Sequence, residues 1–242
     1  MRLQGKHIVI LVCLLQIVGC FAQHIPSPTS SPLLVRRQYA EVRRLMKPGD
    51  VIAFGGKGSY STTIEKVTDG SVSHAGIVVQ AATDTTGPLL IDATSADGVA
   101  EKNLDSYSSS YDGDVWWLPI RRPLSGNNLI EFQSFLRAQL GKAFDKKEAI
   151  GSVIDSKSST AENSEGGSSE DFSKWFCSKI VAAALEVGKV LPSLNAAKVS
   201  PAELCQFAIY TGEYAQLKEA ETKKITGYNT ISPEGWGERG RR

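Results

Sequence analysis

The 242-residue sequence has almost no net charge and very few histidines and cysteines, and each shortage closes off a class of function. Twenty-seven Lys and Arg against 26 Asp and Glu leave a formal charge of +1. Nothing therefore pulls the chain strongly towards nucleic acid or an anionic membrane. No stripe of basic residues interleaved with aromatics is present, and Arg36, Arg37, Arg43 and Arg44 have the spacing of the solvated side of a helix. There is no internal repeat and no nucleotide fingerprint. Gly55-Gly56-Lys57-Gly58 lacks the rest of a phosphate-binding loop, so no cofactor is expected. Of the three histidines, His7 lies in the leader and His24 in a proline-containing lead, which leaves His74 alone in the globular part. One histidine and one nearby cysteine do not make a ligand set, so no metal is expected.

What is present begins with an export leader. Arg2 and Lys6 precede an apolar run, Ile8 to Val18, that is too short to span a bilayer, and Cys20-Phe21-Ala22 offers a small-residue cleavage site. A lipobox reading competes, in which Ile17-Val18-Gly19-Cys20 leaves Cys20 lipid-modified. The protein is accordingly expected to be periplasmic or secreted, and membrane-bound only through a lipid on Cys20. Apolar content of 41% and charged content of 22% suit one globular domain with a sizeable core. Cys13 and Cys20 fall in the leader, so Cys177 and Cys205 remain in the folded body. In an oxidising compartment that pair is a disulfide candidate.

Residues 23–46 read as a flexible lead followed by a helix from Leu33 to Met46, stopped by Pro48-Gly49. Residues 47–227 read as the folded domain. Strands are expected at 51–54, 75–80, 89–91, after Gly98 and at 115–120, with Gly55 to Tyr60 as a loop. Trp116 and Trp117 alternate across the last strand, one towards the core and one towards a groove. A helix is expected from Asn127 to Leu140 and another from Phe172 to Val187. Ser200-Pro201-Ala202-Glu203 is a capping box with proline at the first helical position. The Ser-, Gly- and Glu-rich stretch 156–170 reads as a mobile insert, and 228–242 as a loose tail. Strands in a meander with helices at both ends point to an α+β fold.

His74 sits directly before an apolar strand whose Gly76 leaves room for a close approach. Cys177 lies about one turn into a helix, where the dipole and free N–H groups favour a thiolate. A thiolate and an imidazole form a nucleophile–base pair, and a third polar group should hold the second ring nitrogen. Asp92, at the end of the following strand, is the first candidate for that role, with Asp97 and Asp50 as competitors. The backbone N–H of Cys177 is expected to meet the oxyanion, with Ser73 considered as a second donor.

Six segments in order carry a resemblance to a known family: Gly49-Asp50-Val51-Ile52-Ala53-Phe54, Ser73-His74-Ala75-Gly76-Ile77-Val78-Val79, Ile91-Asp92-Ala93, Gly141-Lys142-Ala143-Phe144-Asp145, Phe176-Cys177-Ser178-Lys179-Ile180-Val181 and Ser200-Pro201-Ala202-Glu203-Leu204. Together they resemble the YiiX-type, permuted NlpC-like papain-fold hydrolases. That resemblance implies a papain-like antiparallel sheet or barrel packed on helices, with His74 and Cys177 catalytic and Asp92 orienting the histidine. The family more often carries glutamate at the Asp92 position, and the insert ahead of the cysteine helix is unusual for it. The implied activity is hydrolysis of an amide, such as a cell-wall peptide bond, through an acyl-thioester. Two alternatives stand beside it: a lipid-directed acyltransferase or esterase similar to lecithin:retinol acyltransferase, and a non-catalytic binding module with a Cys177–Cys205 disulfide.

Overall fold

In the computed structural model, residues 33–155, 174–218, 221–234 and 236 are described. The expected leader and the insert at 156–170 lie outside them. The chain runs β1 (Leu33–Arg36), α1 (Tyr39–Val42), β2 (Val51–Gly56), α2 (Ser59–Thr68), β3 (His74–Gln80), β4 (Leu89–Thr94), β5 (Gly98–Asn103) and α3 (Leu104–Ser110). It continues through β6 (Gly113–Leu118), α4 (Gly126–Ala138), β7 (Ala143–Phe144), α5 (Lys146–Asp155), β8 (Lys174–Trp175), α6 (Cys177–Val187), a 3-10 turn at Ala196–Lys198, α7 (Pro201–Gln206) and β9 (Glu213–Gln216). No helix among the described residues is long and apolar enough to cross a membrane.

The α+β class holds, but the sheet is neither a barrel nor wholly antiparallel. Seven strands lie in the order β1-β9-β6-β2-β3-β4-β5, an open sheet with β1 and β5 at its edges. Every neighbouring pair is antiparallel except β1 with β9, which is parallel. The two central strands explain the long apolar runs: β2 and β3 are buried along nearly their whole length because both faces are covered. On one face Ala53, Ala75, Ile77, Ile91 and Trp116 pack under α4 and α6. On the other, Ile52, Phe54, Val78 and Leu90 pack with Val42, Met46 and Leu104.

Helix α6 has no exposed face over its first nine residues, Cys177 to Leu185, which identifies it as the core helix of the domain. It begins five residues later than the sequence suggests. Lys174 and Trp175 are held extended by pairing with Ala143 and Phe144, so Cys177 is the first residue of the helix rather than one turn inside it. The N-terminal helix expected over 33–46 is likewise shortened to Tyr39–Val42, because Leu33–Arg36 finds a strand partner in Glu213–Gln216. Of the loop expected over Gly55 to Tyr60, Gly55 and Gly56 extend β2, and Ser59 and Tyr60 open α2. The tail is not loose at its start: Tyr228 is buried and stacks on Tyr210, and Ile231 bridges to Phe207. Gly76 leaves room for Leu90 of the neighbouring strand rather than for a ligand; a Cβ there would stand 2.9 Å from Leu90 Cδ2.

Candidate active site

The register of the sheet brings the site together. His74 opens β3 opposite Phe54 on β2, with ring centroids 5.3 Å apart. Ile77 stands opposite Ile91, so the two-residue alternation of side chains puts positions 74 and 92 on the same face. His74 Nε2 then lies 2.8 Å from Asp92 Oδ2. Asp92 is opposite Ala100 and Leu90 opposite Lys102, which brings Lys102 to that face as well. Its ammonium is 3.0 Å from Asp92 Oδ1 and 3.2 Å from Asp97 Oδ2, and sits 4.4 Å from the centre of the Tyr107 ring. The Asp92 side chain is fully buried, and His74 is 15% exposed.

Cys177 reaches the same point from the other side of the sheet. With Nε2 engaged by Asp92, Nδ1 is the imidazole nitrogen left to face the thiol, and a hydrogen bond joins the two side chains. The helix supplies the rest. Its N-cap residue, Phe176, offers no side-chain cap, so the first N–H groups need other acceptors. The Cys177 sulfur takes the N–H of Ser178 and, from β3, that of Ala75.

Charge and burial act against each other here, and charge prevails. Burial by itself would raise the Cys177 thiol; the His74 imidazolium and the two backbone donors bring it below its ordinary value. Burial would likewise lower His74, but the thiolate charge and the Asp92 hydrogen bond lift it to about 10. Burial also works to raise Asp92, yet His74 and then Lys102 hold its carboxyl below the usual carboxylate range. The favoured arrangement is therefore a thiolate–imidazolium pair backed by a carboxylate and an ammonium.

A pocket of about 180 Å³ opens onto Cys177 and His74, with Ile64, Tyr107, Tyr111, Phe144 and Phe176 among its walls. A larger groove of about 410 Å³ lies elsewhere, between α1 and β9. Trp117 lines that groove while Trp116 is buried in the core, so the alternation holds but the groove is remote from the thiol.

The two competitors for the orienting role are engaged elsewhere. Asp50 is buried at the far end of β2, where it accepts the Trp117 indole N–H at 2.8 Å and the backbone N–H groups of Lys47 and Ile120. Burial pushes its carboxyl up to about 6 in spite of those donors. Asp97 pairs with Lys102 in the β4–β5 turn and does not touch His74. Ser73 Oγ accepts the Gly56 N–H at 3.1 Å, which ties it to the end of β2. Cys177 and Cys205 are both free thiols, so the disulfide of the binding-module alternative is not formed. Lys102 and Tyr107 are the site residues that the sequence reading missed. Opposite charges at 92 and 102, flanking the short turn 95–97, were the available signal. Among the described residues no group of three or more His, Cys, Asp or Glu is placed to hold a metal ion.

No protein-family model matches the chain, and no curated protein matches it. Among solved structures, the chain is similar to one described as the metalloprotein yiiX from Escherichia coli O157:H7, with a TM-score of 0.43 and 18% identity. The match covers 58% of this chain and 64% of that one, less than two thirds of its length.

Proposed function

We propose that the protein is a cysteine hydrolase that opens an amide bond through an acyl-thioester on Cys177. The observation that carries this reading is the row Cys177, His74, Asp92 and Lys102, whose first two members line a pocket. The Cys177 sulfur attacks the substrate carbonyl, forming a C–S bond and moving the carbonyl electrons onto oxygen. The Cys177 N–H, in the first turn of α6, is placed to meet that oxyanion. Collapse breaks the C–N bond, and His74 gives its proton to the departing amine. A water molecule then attacks the thioester and passes a proton to His74. The C–S bond breaks, the carboxylic acid leaves, and the ion pair is restored. Asp92 holds Nε2–H and so fixes the imidazole orientation through both steps.

The histidine strand precedes the cysteine helix in the chain, and we assign the protein on that order to the permuted NlpC-like class of papain-fold enzymes. Its first 22 residues read as an export leader, and on that reading we take the substrate to lie outside the cytoplasm. Export would bring cell-wall peptides and lipid-linked acyl groups within reach. The N-terminal mass of the mature protein, with and without Cys20→Ser, distinguishes a cleaved secreted form from a lipid-modified one.

The hydrolase reading is tested by titrating native thiols across pH. Cys177 should alkylate faster than free cysteine near neutral pH, and Cys177→Ala should abolish turnover of amide and ester substrates. A Cys177 thiol no more reactive than free cysteine, or turnover that persists in Cys177→Ala, would sink it.

A further inference from the structure

We infer that the pocket beside Cys177 selects an uncharged, apolar acyl group of about the size of one aromatic ring or a six-carbon chain, and disfavours charged peptide donors. This rests on the hydrolase reading and adds the chemistry of the group that Cys177 takes up.

The wall chemistry decides it. Ile64, Ala93, Tyr107, Tyr111, Phe144 and Phe176 present rings and methyl groups to the space. The polar groups among its other described lining residues, apart from His74 and Cys177, are the neutral hydroxyls of serine and threonine. Glu65, Glu148 and Lys102 come near the pocket, and each already has a charged partner. Glu65, next to Ile64, pairs with Lys223 at 3.6 Å. Glu148, next to the lining residue Ala149, pairs with the buried Lys179 at 2.7 Å. Lys102 pairs with Asp92 and Asp97. The His74 imidazolium is itself matched by the Cys177 thiolate. A carboxylate or ammonium carried into this space would lose its hydration without gaining a counter-charge among the described residues.

Size sets the second limit. The pocket holds about 180 Å³. An apolar cavity of about 150 Å³ in another protein accepts benzene, so one ring or a comparable aliphatic chain is the natural fill. A hydrophobic pocket gains from each buried methylene, which gives the preference a graded dependence on chain length.

The test uses the full-length protein and acyl donors that share a p-nitrophenyl leaving group. Sulfur attack forms the Cys177 thioester, the ester C–O bond breaks, and p-nitrophenolate leaves, so one chemistry serves every donor. Hexanoyl and phenylacetyl donors are compared with adipoyl, which ends in a carboxylate, and 6-aminohexanoyl, which ends in an ammonium. Acylation of Cys177 is followed by intact mass spectrometry, with Cys177→Ala as control. The neutral donors should acylate at least about tenfold faster than either charged one, the size of effect that one mismatched group commonly produces in an apolar site. Charged donors that react as fast as the neutral ones, while Cys177 is still acylated, would overturn this inference and leave the hydrolase reading standing. No acylation by any donor would overturn both. Ser61→Lys, which adds a cation on the pocket wall, should narrow the gap between adipoyl and hexanoyl; an unchanged ratio would place the selectivity outside this pocket and overturn the assignment.

Discussion

At the scale of single residues, Asp92 and Lys102 show how a buried charge is kept useful. Asp92 has no exposure, so it remains ionised only because His74 and Lys102 face it within 3 Å. Removing its charge by Asp92→Asn leaves a side chain of the same shape that no longer stabilises the imidazolium. Turnover should fall on the order of 100-fold with the fold intact, as read by steady-state kinetics alongside circular dichroism. An unchanged rate would remove Asp92 from the orienting role. Lys102 acts through Asp92, and its signature is therefore in the pH profile. With Lys102→Met the Asp92 carboxyl rises, so the acid limb of kcat/KM should move to higher pH. Lys102→Arg should restore it, which a packing role alone would not predict. The alkaline side reports His74. Its folded value is raised from 6.5 to about 10, so the proton needed for the leaving group is fully present at neutral pH and is lost as pH rises through about 10. kcat/KM should fall there, whereas alkylation of Cys177 should stay fast because the thiolate persists. A fall near pH 7 instead would show that the imidazolium is not held by the thiolate and Asp92.

At the scale of elements, what the sequence revealed depended on whether the decisive partner was local. The Ser200–Glu203 box is visible in four consecutive residues, and the structure forms it fully, with Glu203 N–H donating to Ser200 Oγ at 3.2 Å and Ser200 N–H to Glu203 Oε2 at 3.0 Å. Ser200→Ala should therefore cost about 1 kcal/mol, read as a lower midpoint in urea. The strands from β2 to β6 announce themselves through short apolar runs between turns. Helix α6 starts later than its apolar pattern suggests because Lys174 and Trp175 are drawn extended by β7, 31 residues upstream. Strand β1 reads locally as part of a helix because its partner, β9, is 180 residues away. The candidate site divides in the same way. His74 and Cys177 stand out by scarcity and by place on their elements, and Asp92 by closing the apolar run expected at 89–91, although β4 continues past it to Thr94. Tyr107 and Lys102 needed the β4–β5 register and the docking of α3, which no single stretch of sequence states.

At the scale of the whole molecule, the fold is closed by the segment around Tyr228 to Ile231 rather than trailed by it. Tyr228 is 2% exposed, with its ring centroid 4.2 Å from that of Tyr214 and 5.6 Å from that of Tyr210. Its hydroxyl donates to Thr211 O at 3.1 Å, and the neighbouring Asn229 side chain accepts the Tyr210 N–H at 3.1 Å. The segment thus packs against β9 and the turn before it, the far end of the sheet from the candidate site. It also seals the C-terminal end of α7, since Asn229 N–H donates to Cys205 O and Ile231 N–H to Gln206 O. Truncating the ring with Tyr228→Ala leaves a cavity between two tyrosines and removes one of the two donors to the Thr211 carbonyl, the other being Asn229 Nδ2 at 3.4 Å. A loss of about 3–5 kcal/mol is expected, typical of a buried aromatic reduced to alanine. Tyr228→Phe keeps the ring and removes only one hydrogen bond, so it should cost about 1 kcal/mol. Urea denaturation of the two variants separates the contributions of packing and hydrogen bonding. Because this segment touches none of Cys177, His74 or Asp92, alkylation of Cys177 in folded Tyr228→Phe should match the parent protein. Equal and small losses in both variants would show that the segment around Tyr228 lies on the surface of the domain without closing it.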